Sequence, residues 1–174
     1  SRDNRVVLVS IPTSVGRSMA RNAGIEKASS PIILMLDADD ISLEHRAGDT
    51  LAFFKHNPDV DICYGKFQII DVVGRAVENV EATPFDIETL KRTGLAYIGH
   101  STMAFRKLVF DKVKYSDGDF SELGIDDWKF QVDLHKAGFK FGCIQKTLSQ
   151  YRLIPKSRDE ERIAKIKAQC LVDI

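Results

Sequence analysis

Three carboxylates follow an apolar run in the stretch PIILMLDADD, residues 31–40. Asp37, Asp39 and Asp40 come directly after the apolar residues 32–36. Carboxylates this close repel one another unless a positive group joins them. Mg²⁺ and Mn²⁺ bind one or two carboxylates and complete their coordination with water and substrate phosphates. The pattern therefore favours a divalent metal site for a phosphorylated substrate. The alternative is that Asp39 or Asp40 caps the next helix and the other acids are only solvated.

A second acid pair, Asp126 and Asp127, opens a predicted helix in the stretch GIDDW, residues 124–128. Negative charge is favourable in a first helical turn, so these residues could be caps and nothing more. Beside a metal site, one of them could instead accept a proton as a general base. No Ser-His-Asp or Cys-His pattern indicates a protein nucleophile. His100 is a candidate contact to metal, phosphate or acceptor, with a structural role as the alternative.

The acids of residues 37–40 must be positioned by the elements around them. Residues 5–11 and 32–36 are apolar and predict two buried strands, and residues 18–28 predict a helix between them. Strand, helix and strand at this spacing form a βαβ unit, whose ligands lie beyond the carboxyl ends of the strands. Three residues of the helix are expected to face inward: Met19, Ala23 and Ala28.

The rest of the chain predicts a continued alternation of elements. Residues 60–70 predict a strand that enters a hairpin with Gly74 in its turn, and Gly94 should end a short helix. In residues 126–137 we expect a helix capped by its first Asp. The other predicted helices are 43–56, 86–92, 107–112 and 157–172, and the other predicted strands are 97–105, 139–144 and 147–153.

Composition limits the class of protein. The chain has 174 residues, of which 44% are hydrophobic, enough for one domain with a core. Lys plus Arg and Asp plus Glu are both 25, which argues against a nucleic-acid binder with a basic face. Three scattered cysteines indicate free thiols in a reducing compartment. No run approaches the roughly 20 apolar residues of a membrane-spanning helix. We expect a cytoplasmic protein, with peripheral attachment to a membrane as a further option.

Several segments together resemble family 2 glycosyltransferases of the GT-A fold. Residues 16–28, GRSMARNAGIEKA, are similar to the family's G-x-x-x-A-R-N-x-G segment, and ILMLDADD, residues 33–40, to its L-D-A-D-D metal motif. GHSTMAFR, residues 99–106, resembles the strand beneath the acceptor site. SELGIDD, residues 121–127, resembles the acidic segment that ends in the family's base. Residues 150–152, QYR, and Ser157 resemble its closing Y-R and Ser.

The resemblance implies a role for each matching residue. Asp39 would hold Mn²⁺ or Mg²⁺ on a nucleotide diphosphate, and Asp37 would lie near the ribose or the metal's water shell. Asp127 would be the general base that deprotonates the acceptor hydroxyl, with Asp126 and His100 as further substrate contacts. Arg21 would reach toward the nucleotide, although a surface charge is the alternative. The processive Q-x-x-R-W pattern is missing, which favours transfer of single sugars.

The resemblance also implies an incomplete fold. The family's first strand, first helix and second strand have no counterpart before residue 16. We therefore expect an N-terminally truncated α/β domain, GT-A-like, with a mixed, mainly parallel sheet flanked by helices. Residues 1–155 would form this partial domain and residues 156–174 a peripheral C-terminal helix. The sheet edge left open is a candidate surface for homo-oligomer formation.

The implied function is a metal-dependent, inverting transfer of a hexosyl-type sugar in bacterial glycan or polysaccharide synthesis. The donor would be a nucleotide-diphosphate sugar, and the acceptor a glycan, a lipid-linked molecule or a protein. Two alternatives stay open. One is a catalytically inactive GT-A-like domain for binding or assembly. The other is a different metal-dependent nucleotide or phosphoryl transferase that uses Asp37 and Asp39.

Overall fold

A mixed sheet runs through the centre of the molecule. The computed structural model describes residues 3–94, 98–154 and 159–172. The described helices are α1 (Gly16–Lys27), α2 (Arg46–His56), α3 (Ile87–Thr93), α4 (Asp119–Glu122), α5 (Asp126–Lys136) and α6 (Glu160–Leu171). The described strands are β1 (Ile32–Leu34), β2 (Ile41–Ser42), β3 (Ile62–Ile70), β4 (Ala76–Val80), β5 (Ala104–Arg106) and β6 (Phe141–Arg152). Two 3₁₀ turns, His100–Thr102 and Lys107–Asp111, flank β5.

β3 is the central strand. It runs parallel to β6 along its full length, and its other side pairs first with β5 and then with β4. The strand order is β1-β5-β3-β6-β2, with β4 beside the outer half of β3. Alternate residues of β3 enter different cores, as expected for a sheet covered on both faces. Ile62 and Tyr64 join a core with Phe130 of α5, whereas Cys63 joins one with Phe54 of α2.

The predicted α/β fold with a mixed sheet is confirmed, and several local predictions hold. β3 and β4 form the expected hairpin around Gly74. The side chain of Asp86 accepts hydrogen bonds from two backbone N–H groups at the start of α3, and Gly94 ends that helix in the left-handed conformation. The two strands predicted at 139–144 and 147–153 are one strand, β6, with register shifts opposite Lys66.

The predicted strand at residues 5–11 is wrong. Val6, Val7 and Leu8 are 75%, 70% and 89% exposed, and the segment has no strand partner among the described residues. β-branched residues favour a strand only when a neighbouring strand accepts their backbone hydrogen bonds. The expected βαβ unit is therefore absent from the described part. Four of the five strand pairings there are antiparallel, so the sheet has fewer parallel pairs than predicted.

Two further predictions need correction. The strand expected at 97–105 is a 3₁₀ turn followed by the short strand β5, and Tyr97 lies outside the described residues. The inward side of α1 is also different, because its buried residues are Ser18, Asn22 and Ile25, while Met19 is 42% exposed. Two of these three buried side chains are polar, so an apolar stripe could not reveal this face.

Gly65 is a test of packing between β3 and β6. A Cβ atom there would lie 2.6 Å from Leu148 Cδ1 and 2.9 Å from the Lys146 carbonyl oxygen. We expect Gly65→Ala to lower the free energy of unfolding by about 1–3 kcal/mol, as overpacking does. Gly48→Ala is the matched control, because no atom lies within 4 Å of its added Cβ and Ala favours helix α2. It should raise stability by up to about 1 kcal/mol. Urea unfolding of both variants checks the opposite signs.

Candidate functional site

The six predicted site residues lie together. Beyond the carboxyl end of β1 is a cavity of about 310 Å³, which we call the acid pocket, lined by Arg21, Asp37, Asp39, His100, Asp126 and Asp127 among other residues. Its apolar walls come from β3, β6 and the start of α5, through Phe67, Tyr151 and Trp128. The acid clusters near residues 37 and 126, about 90 positions apart in the sequence, therefore line the same cavity. Their chemical roles stay predictions.

Arg21 joins the two acid clusters, of which the first is in residues 37–40 and the second is the pair at 126 and 127. Its Nη2 donates to Asp37 Oδ1 at 2.7 Å, and its Nη1 donates to Asp126 Oδ2. The Arg21 side chain is only 15% exposed and that of Asp126 only 2%. A buried charge is tolerated when it is paired and hydrogen-bonded. Arg21 thus satisfies one carboxylate from each cluster, and its two terminal nitrogens are engaged within the protein.

Asp37 is held on both oxygens. Its Oδ2 lies 3.2 Å from His100 Nδ1, opposite the oxygen that Arg21 contacts. Burial opposes ionisation of Asp37, but the hydrogen bond and charge of His100 together with Arg21 outweigh it. They hold the pKa of Asp37 well below its usual range. His100 is buried, as expected for the structural role that was its alternative. It also lines the acid pocket.

Asp40 is a structural member of the first cluster. Its Oδ1 accepts the backbone N–H of Arg152 at 2.9 Å, and its Oδ2 accepts the hydroxyl of Ser101. Ser101 Oγ in turn accepts the backbone N–H of Asp37 at 3.0 Å. These contacts fasten the loop of residues 37–40 to β6 and to the turn before β5. Neither Asp39 nor Asp40 caps α2, whose N-cap is His45, so that alternative is excluded.

Asp39 differs from Asp37 and Asp40 in having no side-chain partner within the described residues. In residues 3–94, 98–154 and 159–172 its side chain has no hydrogen-bond or ion-pair partner, and it is half-buried on the pocket wall. No group of three or more His, Cys, Asp or Glu in that part of the chain could hold a metal alone. A single free carboxylate fits Mg²⁺ or Mn²⁺ only if phosphate oxygens and water supply the other ligands. The donor set therefore fits a metal that arrives with a phosphorylated substrate.

Asp126 and Asp127 differ in their surroundings. The N-cap of α5 is Ile125, so the predicted cap role of Asp126 is wrong. Burial raises the pKa of Asp126, the charge of Arg21 opposes this, and the charge of Asp127 adds to it. Asp127 Oδ1 accepts only the adjacent N–H of Trp128 at 2.8 Å, and the half-buried side chain has no ion pair within the described residues. Asp127 is thus the member of the pair that is available to a substrate.

Sequence reasoning missed several residues of this site. Tyr115 lies behind His100, Arg17 lines the pocket near Asp126, and Lys167 of α6 lies over the ring of Trp128. Tyr115 lies in an irregular segment and Lys167 on a distant helix, so no motif points to them. Arg17 is one turn before Arg21 on the same face of α1, and this spacing could have revealed it. The C-terminal helix also contributes Ile163 to a core with Leu90 and Trp128.

Comparison with known proteins identifies the family. The model of "Glycosyl transferase family 2" matches residues 1–114, about two thirds of the chain. The chain belongs to this family. An uncharacterized glycosyltransferase of Methanocaldococcus jannaschii is 24% identical to this family 2 chain over 168 residues, or 95% of the chain. One from Haemophilus influenzae is 34% identical over 79 residues, or 45% of it.

Solved structures confirm the fold of this family 2 chain. Crystal structures of S. aureus TarS with UDP and with UDP-GlcNAc superpose with TM-scores of 0.63 and 0.60, at 17% and 15% identity, over 94% and 92% of the chain. The alignments span 47% and 48% of those TarS chains, and 57% and 31% of the two curated relatives. Within the described residues, every helix is too short or too polar to cross a membrane.

The carboxylates of the first cluster predict opposite effects on acid stability. The pKa of Asp37 is lower in the folded protein than in the unfolded chain, where it is about 3.9. As the pH falls, Asp37 therefore takes up its proton more readily in the unfolded chain, which favours unfolding. The stability that Asp37 contributes is present above this unfolded-state pKa and is lost as the pH falls. Asp37→Asn should therefore make the loss of unfolding free energy between pH 5 and pH 2 shallower. Urea unfolding across this pH range measures the slope.

Asp40→Asn is the matched comparison. Burial raises the pKa of Asp40, against the hydrogen bonds from Ser101 and Arg152, so the folded state takes up this proton first as the pH falls. Asp40 therefore offsets part of the acid loss, and Asp40→Asn should make the slope steeper. The same slope in both variants would contradict this account of the cluster.

Proposed function

We propose that this chain carries the catalytic centre of an inverting, metal-dependent glycosyltransferase that acts on a nucleotide-diphosphate sugar. The observation that supports it is the unequal state of four carboxylates in one pocket. Arg21 binds Asp37 and Asp126, which leaves Asp39 and Asp127 without an ion pair among the described residues. A metal ligand and a proton acceptor are the two groups that this transfer needs.

The donor end would lie at Asp39. TarS structures contain UDP and UDP-GlcNAc, which supports a nucleotide-sugar donor for a chain of the same fold. Asp39 would hold Mn²⁺ or Mg²⁺ together with the phosphate oxygens. When bound, such an ion offsets the charge that develops on a diphosphate leaving group. Asp37, fixed by Arg21 and His100, would remain ionised and in place beside it.

The acceptor end would lie at Asp127. As the acceptor oxygen attacks the anomeric carbon, the bond from that carbon to the phosphate oxygen breaks and the nucleoside diphosphate leaves. The proton of the acceptor hydroxyl passes to the Asp127 carboxylate. Attack from the face opposite the leaving group inverts the anomeric configuration. Asp126 is less suited to this role, because its Oδ2 is bound to Arg21 and its side chain is only 2% exposed.

Asp39→Asn tests the donor end in the full-length protein. In the wild type, we expect Mn²⁺ to strengthen UDP binding, since the ion joins the carboxylate to the phosphates. In the variant, the ratio of UDP affinity with Mn²⁺ to UDP affinity without Mn²⁺ should be smaller by roughly 10-fold or more. Calorimetric titration of UDP with and without Mn²⁺ measures it. Asp59→Asn, which changes an exposed Asp outside the acid pocket, is the control and should behave as the wild type. An equal gain in all three proteins would exclude Asp39 as the ligand.

Asp127→Asn tests the acceptor end. Asn can still accept the N–H of Trp128, so the melting temperature should hardly change, but the proton acceptor is gone. We expect kcat for sugar transfer to fall on the order of 10²–10⁴-fold. Asp133→Asn is the control, since Asp133 is on the same helix, pairs with Lys129 and lies outside the acid pocket. Steady-state transfer assays beside thermal melts decide it, and near-wild-type turnover of Asp127→Asn would disprove the assignment.

A further inference from the structure

Tyr115 is a buried residue that no motif in the sequence singles out. It lies in the irregular segment before α4 and is 3% exposed. The side chain of Asn22 accepts its backbone N–H at 3.0 Å and donates to its carbonyl oxygen at 2.9 Å. Its ring stacks on Phe130 with centroids 4.0 Å apart and an interplanar angle of 18°. Contacts from α1 and α5 therefore fix both the backbone and the ring.

The Tyr115 hydroxyl begins a chain of contacts that ends at Asp37. It lies 3.0 Å from His100 Nε2, and His100 Nδ1 lies 3.2 Å from Asp37 Oδ2. The remaining oxygen of Asp37 binds Arg21. The His100 ring is thus held between a phenol and a carboxylate, and its only freedom within this arrangement is the location of its proton.

When His100 is neutral, its two hydrogen-bond partners, Asp37 and Tyr115, are compatible with only one tautomer. An ionised carboxylate only accepts hydrogen bonds, so the nitrogen that faces Asp37 must carry the proton. The other nitrogen is then an acceptor and needs a donor. Burial raises the pKa of Tyr115 well above its usual range, against the opposing charge of Arg21 and together with Asp126, Asp127 and Asp37. The hydroxyl therefore keeps its proton and can donate.

We propose that Tyr115 is a positioning residue that holds the His100 ring at Nε2 and thereby fixes Asp37. Tyr115 donates to Nε2, and Nδ1–H donates to Asp37. With both oxygens bound, Asp37 is held in place, and Asp39 would be the carboxylate that holds the metal. The chain of contacts from Tyr115 to Asp37 rests on the interatomic distances and on an ionised Asp37. Its effect on donor binding rests on the proposed function.

The tautomer can be measured directly. Nitrogen-15 NMR shifts distinguish the two ring nitrogens of each of the four histidines, and His100→Gln assigns the signals of His100. At a pH where the His100 ring is neutral, we expect its proton at Nδ1. In Tyr115→Phe the proton should stay at Nδ1, because Asp37 still requires it there, but the Nε2 shift should move because that nitrogen has lost its hydrogen-bond donor. A neutral ring protonated at Nε2 in the wild type, or an unchanged Nε2 shift in Tyr115→Phe, would overturn the proposal.

The effect on the site is measured through donor binding. Tyr115→Phe should weaken UDP binding in the presence of Mn²⁺ on the order of 10-fold, as loss of a partner behind a ligand does. Tyr64→Phe is the matched control, since Tyr64 is 1% exposed, donates to the Thr83 carbonyl oxygen and lies outside the acid pocket. Its UDP affinity should match the wild type.

The outcomes separate the two proposals. If both Tyr→Phe variants weaken UDP binding equally, Tyr115 is only structural and the positioning role is wrong. If the wild type does not bind UDP with Mn²⁺ but His100 shows the expected tautomer and the change of its Nε2 shift in Tyr115→Phe, the donor assignment fails while the hydrogen-bond chain stands. The reverse result, UDP binding with the wrong tautomer, would leave the proposed function and remove the role of Tyr115.

Discussion

The pocket depends on one guanidinium placed between two acid clusters. Two carboxylates with little exposure face each other across Arg21, and without a cation they could not both stay ionised there. This requirement also determines where α1 lies. The helix contributes Ile25 as its one buried apolar side chain, so its position is set largely by Arg21 and Asn22.

Two other arginines hold the loop that carries the first cluster. Arg46 of α2, only 2% exposed, donates to the carbonyl oxygens of Met35 and Met103, at 2.5 and 3.3 Å. Arg152 of β6 donates through Nε to the carbonyl oxygen of Asp39 at 3.0 Å and through Nη1 to that of Asp71. These bonds use backbone oxygens and leave the carboxylate of Asp39 untouched. The loop is therefore restrained by α2 and by β6, while the half-buried Asp39 side chain lines the acid pocket.

How far the sequence predicts this molecule depends on the range of the interactions involved. The hairpin at Gly74 and the helix between Asp86 and Gly94 are set by neighbouring residues, and both were predicted. The strand at residues 5–11 and the inward face of α1 depend on distant partners, and both predictions were wrong. The resemblance to family motifs predicted six residues that line the acid pocket, and composition alone could not have identified them. It did not reveal which carboxylates Arg21 would bind, because that follows from side-chain geometry in the folded chain.

The C-terminal helix has a practical consequence for how the protein is handled. Ile163 of α6 is 4% exposed and packs in the same core as Trp128, whose ring also lies 5.2 Å from Lys167 Nζ. An expression boundary placed before α6 would uncover the apolar side of α5 and remove Lys167 from the lining of the acid pocket. Affinity tags and fluorescent fusions attached close to Leu171 would lie at the end of this same helix.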